Sequence, residues 1–285
     1  MIAMSTFVYL DHNYVIQLLT RAKRGDTHLA ARLREGIDCK IVLSTIHWYE
    51  AARSPDDRTA YETAEFFDSL SPIWVRDRIG LQRREIKAFL DGKAGDTDSI
   101  CPFCRSCSEL ATEIAGRKDA FEIVLSRDLV SDLRSRPESN NMQVLAYRRM
   151  QESFHANVAA VRDGRLTKQE AWRRYIRGLA IDLGFRDHVH KLDTAGLECF
   201  RSITIEHEMG VEHRERGVGE PSMQLSHRRV NDVWHAEVAL PYVDYFVTGD
   251  KTFRNLIRAV GAKLPFRTAQ PLKCVEEILG DLKLA

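Results

Sequence analysis

Four acidic residues, Asp11, Glu50, Asp232 and Asp250, fall where a site for cutting phosphodiesters would need them. Asp11 closes the apolar run Thr6-Phe-Val-Tyr-Leu10, and Asp250 follows Val243-Asp-Tyr-Phe-Val-Thr248 after a single glycine. Glu50 lies in the first turns of a helix that opens after Lys40-Ile-Val-Leu-Ser44, and Asp232 in the first turn of a helix leading toward the Asp250 strand. Magnesium and manganese prefer carboxylate oxygens. Two such ions ~3.5–4 Å apart can activate a water and stabilise a leaving oxygen. Acids that close raise each other's pKa, so without a cation their gathering works against the fold.

The elements that must position these acids are read from periodicity. Short apolar runs rich in branched and aromatic residues predict strands over Thr6–Leu10, Lys40–Ser44, Ile73–Val75, Val243–Thr248 and Phe266–Thr268. Helices are expected over Tyr14–Arg24, Thr45–Arg53, Asp56–Leu70, Arg229–Leu240 (stopped by Pro241), Lys251–Val260 and Val275–Leu284. Strands alternating with helices at both ends of the chain predict an α/β fold, a parallel sheet flanked by helices. Ligands of such sheets bind beyond the carboxyl ends of the strands. Asp11, Glu50 and Asp250 are expected there, and Asp232 joins them if its helix starts on that side. The charged, mostly helical stretch between the two ends reads as an insertion. The expected organisation is residues 1–80, a mainly helical insertion over 81–228, and residues 229–285.

Composition narrows the class. With 44% hydrophobic and 29% charged residues the chain is an ordinary globular protein rather than a disordered or fibrous one. No apolar run approaches the roughly 20 residues of a membrane helix. The N-terminus lacks the basic region of a signal peptide, so a cytoplasmic location is expected. The net charge of +1 is not that of a protein that coats nucleic acid. A local basic face would still serve a nuclease.

Three segments resemble the PIN-domain nucleases: Phe7-Val-Tyr-Leu-Asp11-His-Asn13, Ser44-Thr-Ile-His-Trp-Tyr-Glu50, and Asn231-Asp-Val-Trp-His-Ala236 followed by Val243-Asp-Tyr-Phe-Val-Thr-Gly-Asp250-Lys-Thr-Phe253. The resemblance covers roughly residues 6–75 and 229–283 and leaves the middle unexplained. It implies a PIN-like fold and an endoribonuclease, toxin-like in type, that uses magnesium or manganese held by Asp11, Glu50, Asp232 and Asp250. RNA is the expected partner, with single-stranded DNA the alternative. An inhibitor protein or a second copy of the chain completes the expected partners.

Neighbours of the acids admit two readings each. Asn13 bonds a phosphate or orients Asp11, or else caps the following helix. Thr248, at a strand end, touches an ion or its water. His235 lies one helical turn after Asp232 and contacts the scissile phosphate or is a buried structural histidine. Asp244 begins the strand that Asp250 follows, ~20 Å away at ~3.3 Å per residue, and is assigned to structure.

Cys101-Pro-Phe-Cys104-Arg-Ser-Cys107 places three thiols within seven residues. These are candidates for a structural zinc site, with Cys199, His188 or His190 as fourth ligand; the other reading is a loop of free thiols. Cys39 and Cys274 look like small core residues. Trp172-Arg-Arg-Tyr-Ile-Arg177 reads as an ordinary amphipathic helix, or as a surface for phosphate contact and base stacking. His207 to His227 reads as a charged loop that borders the site, or as a mobile connector. An aspartyl-phosphate phosphatase needs Asp-x-Asp where this chain has Asp11-His-Asn13. The remaining rivals are a DNA nuclease acting on flaps or single strands and a non-catalytic RNA-binding protein.

Overall fold

A computed structural model of the chain describes residues 6–35, 39–115, 124–136, 156–216 and 227–281. Its centre is a mixed six-stranded sheet. Strand β1 (Thr6–Leu10) pairs in parallel with β2 (Cys39–Leu43) on one side and β5 (Tyr245–Val247) on the other. β3 (Ile73–Val75) extends the sheet beyond β2, and β6 (Gln270–Leu272) beyond β5, both parallel. β4 (Phe103–Cys104) closes the β3 edge and runs antiparallel.

Strands buried on both faces must be apolar throughout, and side chains alternate between faces. Val8, Leu10, Ile41, Leu43 and Val247 enter one core, while Tyr9, Val42 and Phe246 enter the other. The first core is covered by α1 (His12–Lys23), α2 (His28–Glu35), α4 (Asp57–Ser69), α7 (Cys107–Ala115), α8 (Ser126–Ser135) and α14 (Val275–Asp281). The second is covered by α5 (Arg78–Leu90), α11 (Arg201–Arg216), α12 (His227–Ala239) and α13 (Lys251–Gly261), with the short α6 (Thr97–Ile100) at its edge. Helix α3 (Thr45–Ala52) straddles the sheet end: Ile46 enters the second core, Trp48 and Ala51 the first.

The middle of the chain is woven into both layers. Cys104, Leu110 and Val130 lie in the first core and Ile100, Ile205 and Met209 in the second. Helices over 156–162 (α9) and Lys168–Asp182 (α10) build a third core with α5 and α11. Trp172, Tyr175 and Ile176 are buried in it, so the aromatic residues of that stretch pack inward, and Arg177 pairs with Asp193.

Several expected boundaries move. The last strand is Gln270–Leu272 rather than Phe266–Thr268, and Pro271 is accommodated because β6 is an edge strand. β5 starts only at Tyr245. The charged loop expected from His207 is helix α11 as far as Arg216, and residues 217–226 lie outside the described residues. Among the described residues no helix is long and apolar enough to cross a membrane.

Between α5, α10, α11 and α12 lies a buried polar group. The Arg78 guanidinium is 3.0 Å from Glu206 and 3.6 Å from Glu237. Gln82 Nε2 donates to both glutamates (2.8 and 2.6 Å), and the Tyr175 hydroxyl donates to Glu206 (2.7 Å). Burial and the neighbouring Glu206 charge push the Glu237 pKa well above its ordinary 4.5. Of the two glutamates, Glu237 is the one pushed toward the protonated form. A raised folded-state pKa contributes stability below the unfolded value, and that stability is lost as pH rises toward the folded one. We expect Glu237→Gln to cost less than ~1 kcal/mol at pH 7 and to flatten the loss of stability above pH ~5. Glu206→Gln removes the charge facing Arg78 and should cost about 3 kcal/mol. Urea unfolding across pH checks both, and equal costs at neutral pH would refute the division of charge.

Candidate metal centre

The site forms where the sheet changes direction. From β1 the chain passes to β2 on one side, and it returns to β5 on the other. The crevice at the carboxyl ends of two such strands is the standard ligand position of open α/β sheets. Asp11 leaves β1 there, its backbone N–H bonded to the Val247 carbonyl at 2.9 Å. Thr248 leaves β5 beside it. The buried Thr248 hydroxyl donates to Asp11 Oδ2 (2.7 Å), and the Asn13 backbone N–H approaches Asp11 Oδ1 at 3.4 Å. Asp11 itself is the N-cap of α1 and is only 2% exposed. Of the two roles expected for Asn13, its backbone helps to fix Asp11 while its side chain is exposed; the cap is Asp11.

Glu50 reaches the same crevice because His47 bolts α3 to β1. The Ser44 backbone N–H donates to His47 Nδ1 (3.1 Å), which leaves Nε2 to donate to the Leu10 carbonyl (2.7 Å). Burial, with the nearby His235 and His12, pushes the His47 pKa well down, in keeping with a neutral ring that donates at one nitrogen and accepts at the other. The start of α3 is thus tied to the residue just before Asp11, and Glu50 follows one turn later.

From α12 come the partners of Glu50. His235 Nε2 is 2.9 Å from Glu50 Oε2, and Asn231 Nδ2 donates to Glu50 Oε1 at 2.9 Å. His235 Nδ1 lies 2.5 Å from the Tyr9 hydroxyl, which in turn lies 2.6 Å from Ser44 Oγ. Burial pulls the His235 pKa down, but Glu50, Asp11 and Asp232 outweigh it and the net shift is upward. Burial likewise pushes Glu50 up, yet His12, His235 and Asn231 hold it well below the usual carboxylate range. Burial lowers the His12 pKa, whereas the charges of Glu50, Asp11 and Asp232 raise that of His235.

Ligand atoms of Asp11, Glu50 and His235 all lie within 4.8 Å of one another, the one such group of three among the described residues. Asp232 is half-buried beside them. Burial, and then the charges of Asp11, Glu50 and Asp250 against the opposing pull of His235, raise its pKa to about 7. Asp250 stands at the rim. It caps α13 by accepting the Phe253 N–H (3.0 Å), and its own N–H meets Thr248 Oγ1 at 3.2 Å. Asp244 sits at the other end of the strands, where it accepts the Phe7 N–H at 2.9 Å.

The donor set fits a divalent cation on two counts. Two carboxylates and an imidazole converge, and the buried His12 Nδ1 has no hydrogen-bond partner although Glu50 Oε2 is 3.8 Å away. A buried nitrogen left unpaired costs about 1–3 kcal/mol unless a further group or water meets it.

The cysteine cluster does not converge in this way. Cys101 is exposed at a left-handed turn (φ 47°), near Arg76. Cys104 packs inward from β4 near Glu113, and Cys107 starts α7 facing Ser126. Burial pushes both inner thiols up to about 12. Among the described residues these thiols form no metal-holding group, with or without Cys199, His188 or His190. Cys39 is buried as expected, whereas Cys274 is only half-buried.

Sequence patterns did not single out Tyr9, His12, Ser44, His47 or Asn231. Tyr9 reads there as an ordinary aromatic strand residue, and His47 as one turn of an apolar helix. Their polar partners lie on other elements, up to 226 positions away for Tyr9 and His235. Comparison of the chain with protein-family models, with curated proteins and with solved structures finds no match.

Proposed function

We propose that this chain is a metal-dependent nuclease of PIN-like type that hydrolyses phosphodiester bonds in RNA. The observation that carries the reading is the approach of Asp11, Glu50 and His235 donor atoms to within 4.8 Å at the switch point of the sheet. Asp232 and Asp250 lie on the same edge, and the Asp11, Glu50 and Asp250 charges are among the causes that raise the Asp232 pKa. The motif resemblance of the two chain ends supports RNA as the substrate. A divalent ion held by Asp11, Glu50 and His235 would polarise the phosphoryl group and favour attack by water.

The side chains divide the remaining work. Thr248 fixes the Asp11 carboxylate, and Asn231 fixes that of Glu50. Tyr9 fixes the His235 ring through Nδ1, so that Nε2 points into the cluster. Burial and the Asp11 charge raise the Asp232 pKa to about 7, and a cation held by Asp11 and Glu50 would lower it. Nearby Arg254 donates to the Thr248 carbonyl and stiffens the β5 end.

Incubation with labelled RNA and DNA panels in magnesium or manganese tests the reading. RNA should be cut in the presence of metal, and chelation should stop it. Absence of cleavage with either ion, or cleavage undiminished by chelator, would overturn it. Cutting of DNA alone would keep the chemistry and change the substrate class.

A further inference from the structure

A second concavity adjoins the acid cluster and has no part in the chemistry above. It is a cavity of about 630 Å³ between the end of α3, the start of α4 and α8. Its volume falls in the ~300–1,000 Å³ range of small-ligand sites. Arg53, one turn beyond Glu50, lines it, and Arg53 Nη1 donates to Asn231 Oδ1 at 3.3 Å. Since Asn231 also donates to Glu50, one side chain joins the cavity wall to the metal cluster.

Two arginines, Arg53 and Arg134, and one carboxylate, Asp57, line this cavity and leave it net positive. A helix C-terminus presents unpaired carbonyls that repel negative charge. Here Arg134 covers them, donating to the carbonyls of Ala52 (2.9 Å) and Ser54 (2.6 Å) and pairing with Asp57. Arg53 is half-buried, and the Glu50 charge acts on it against the effect of burial. The lining also holds Tyr61, one face of whose ring carries the Arg127 guanidinium 5.1 Å from its centroid, and exposed Ser131. A cation, a flat aromatic wall and a hydroxyl are the elements that hold a phosphate, a base and a sugar of a single strand.

We infer that this cavity seats the nucleotide next to the scissile phosphate of a single-stranded nucleic acid, its phosphate on Arg53 and its base against Tyr61. The inference rests on the nuclease reading for the position of the cut. Binding alone is measured first, by fluorescence anisotropy of a labelled uridine dodecamer. The full chain carries Asp11→Asn with manganese present, so that the strand stays whole. Adding Arg53→Gln should weaken binding ~10-fold and lower the slope of log affinity against log salt by ~0.7, with Arg53→Lys restoring part of it. Adding Ser131→Trp, which plugs the cavity from an exposed helix position, should weaken binding ~10-fold as well. Unaltered affinity in either Arg53→Gln or Ser131→Trp, or no binding of the dodecamer by the parent, would overturn the inference. The two readings fail separately. Groove-dependent binding without hydrolysis of any diester removes the nuclease chemistry alone, and metal-dependent hydrolysis with unaffected binding in the variants removes the groove alone.

Discussion

Asp11→Asn should leave the protein folded and lower metal-dependent cleavage by roughly 10³-fold, about 4 kcal/mol of barrier. The substitution keeps the shape of the side chain and its helix cap, since asparagine caps as well as aspartate. It also keeps an acceptor for the Thr248 hydroxyl, which donates to Asp11 at 2.7 Å. What it removes is one negative charge from a cluster in which Asp11 helps to raise Asp232 to a pKa of about 7. The metal-free variant should therefore melt no lower than the wild type, and its gain should vanish when manganese is added. Cleavage assays and melting curves with and without chelator measure both effects. Retained activity, or a loss of activity that merely follows a fall in melting temperature, would contradict the role given to Asp11.

The second large effect concerns the kind of metal. Magnesium favours oxygen donors, whereas manganese and the later divalent ions accept an imidazole among them. With His235 Nε2 only 2.9 Å from Glu50 Oε2, the cluster offers nitrogen as well as oxygen. Manganese should accordingly bind more tightly than magnesium, and His235→Ala should weaken manganese ~100-fold while narrowing the gap between the ions. Tyr9→Phe tests the support behind the ligand. It removes the hydroxyl 2.5 Å from His235 Nδ1 and should weaken manganese ~10-fold, the usual consequence of losing a group that orients a ligating histidine. Titration calorimetry on chelator-stripped protein distinguishes these results from equal affinities for the two ions, which would place His235 outside the centre.

Three of the acids were legible in position because each follows a local signal, whereas Asp232 was expected there only if its helix started on that side. Asp11 ends an apolar strand, Asp250 follows one across a glycine, and Glu50 falls in the helix after another; each rule needs only a few neighbouring residues. The groups that hold them were not legible, because a buried polar residue takes its meaning from a partner on another element. Tyr9 and His47 match an apolar strand and an apolar helix, and only the packing of α3 and α12 against β1 gives their polar atoms work. The same physics hid α11. Glu206 and Glu212 are buried in it beside Ile203, Ile205 and Met209, so charge no longer marks the solvent face of the helix. The cysteine spacing left its two readings, zinc loop or free thiols, open for a related reason. A short spacing brings backbones close but does not aim side chains, and β4 and α7 aim Cys104 and Cys107 into different neighbours.

The central claim is that Asp11, Glu50 and His235 form a metal centre, and anomalous diffraction from crystals grown with manganese tests it most directly. The account predicts a manganese peak among the three side chains, about 2.0–2.3 Å from a carboxylate oxygen of Asp11 and of Glu50 and from His235 Nε2. A map with no peak in that crevice at millimolar manganese, or with the ion bound elsewhere while His235 keeps its hydrogen bond to Glu50, would contradict it.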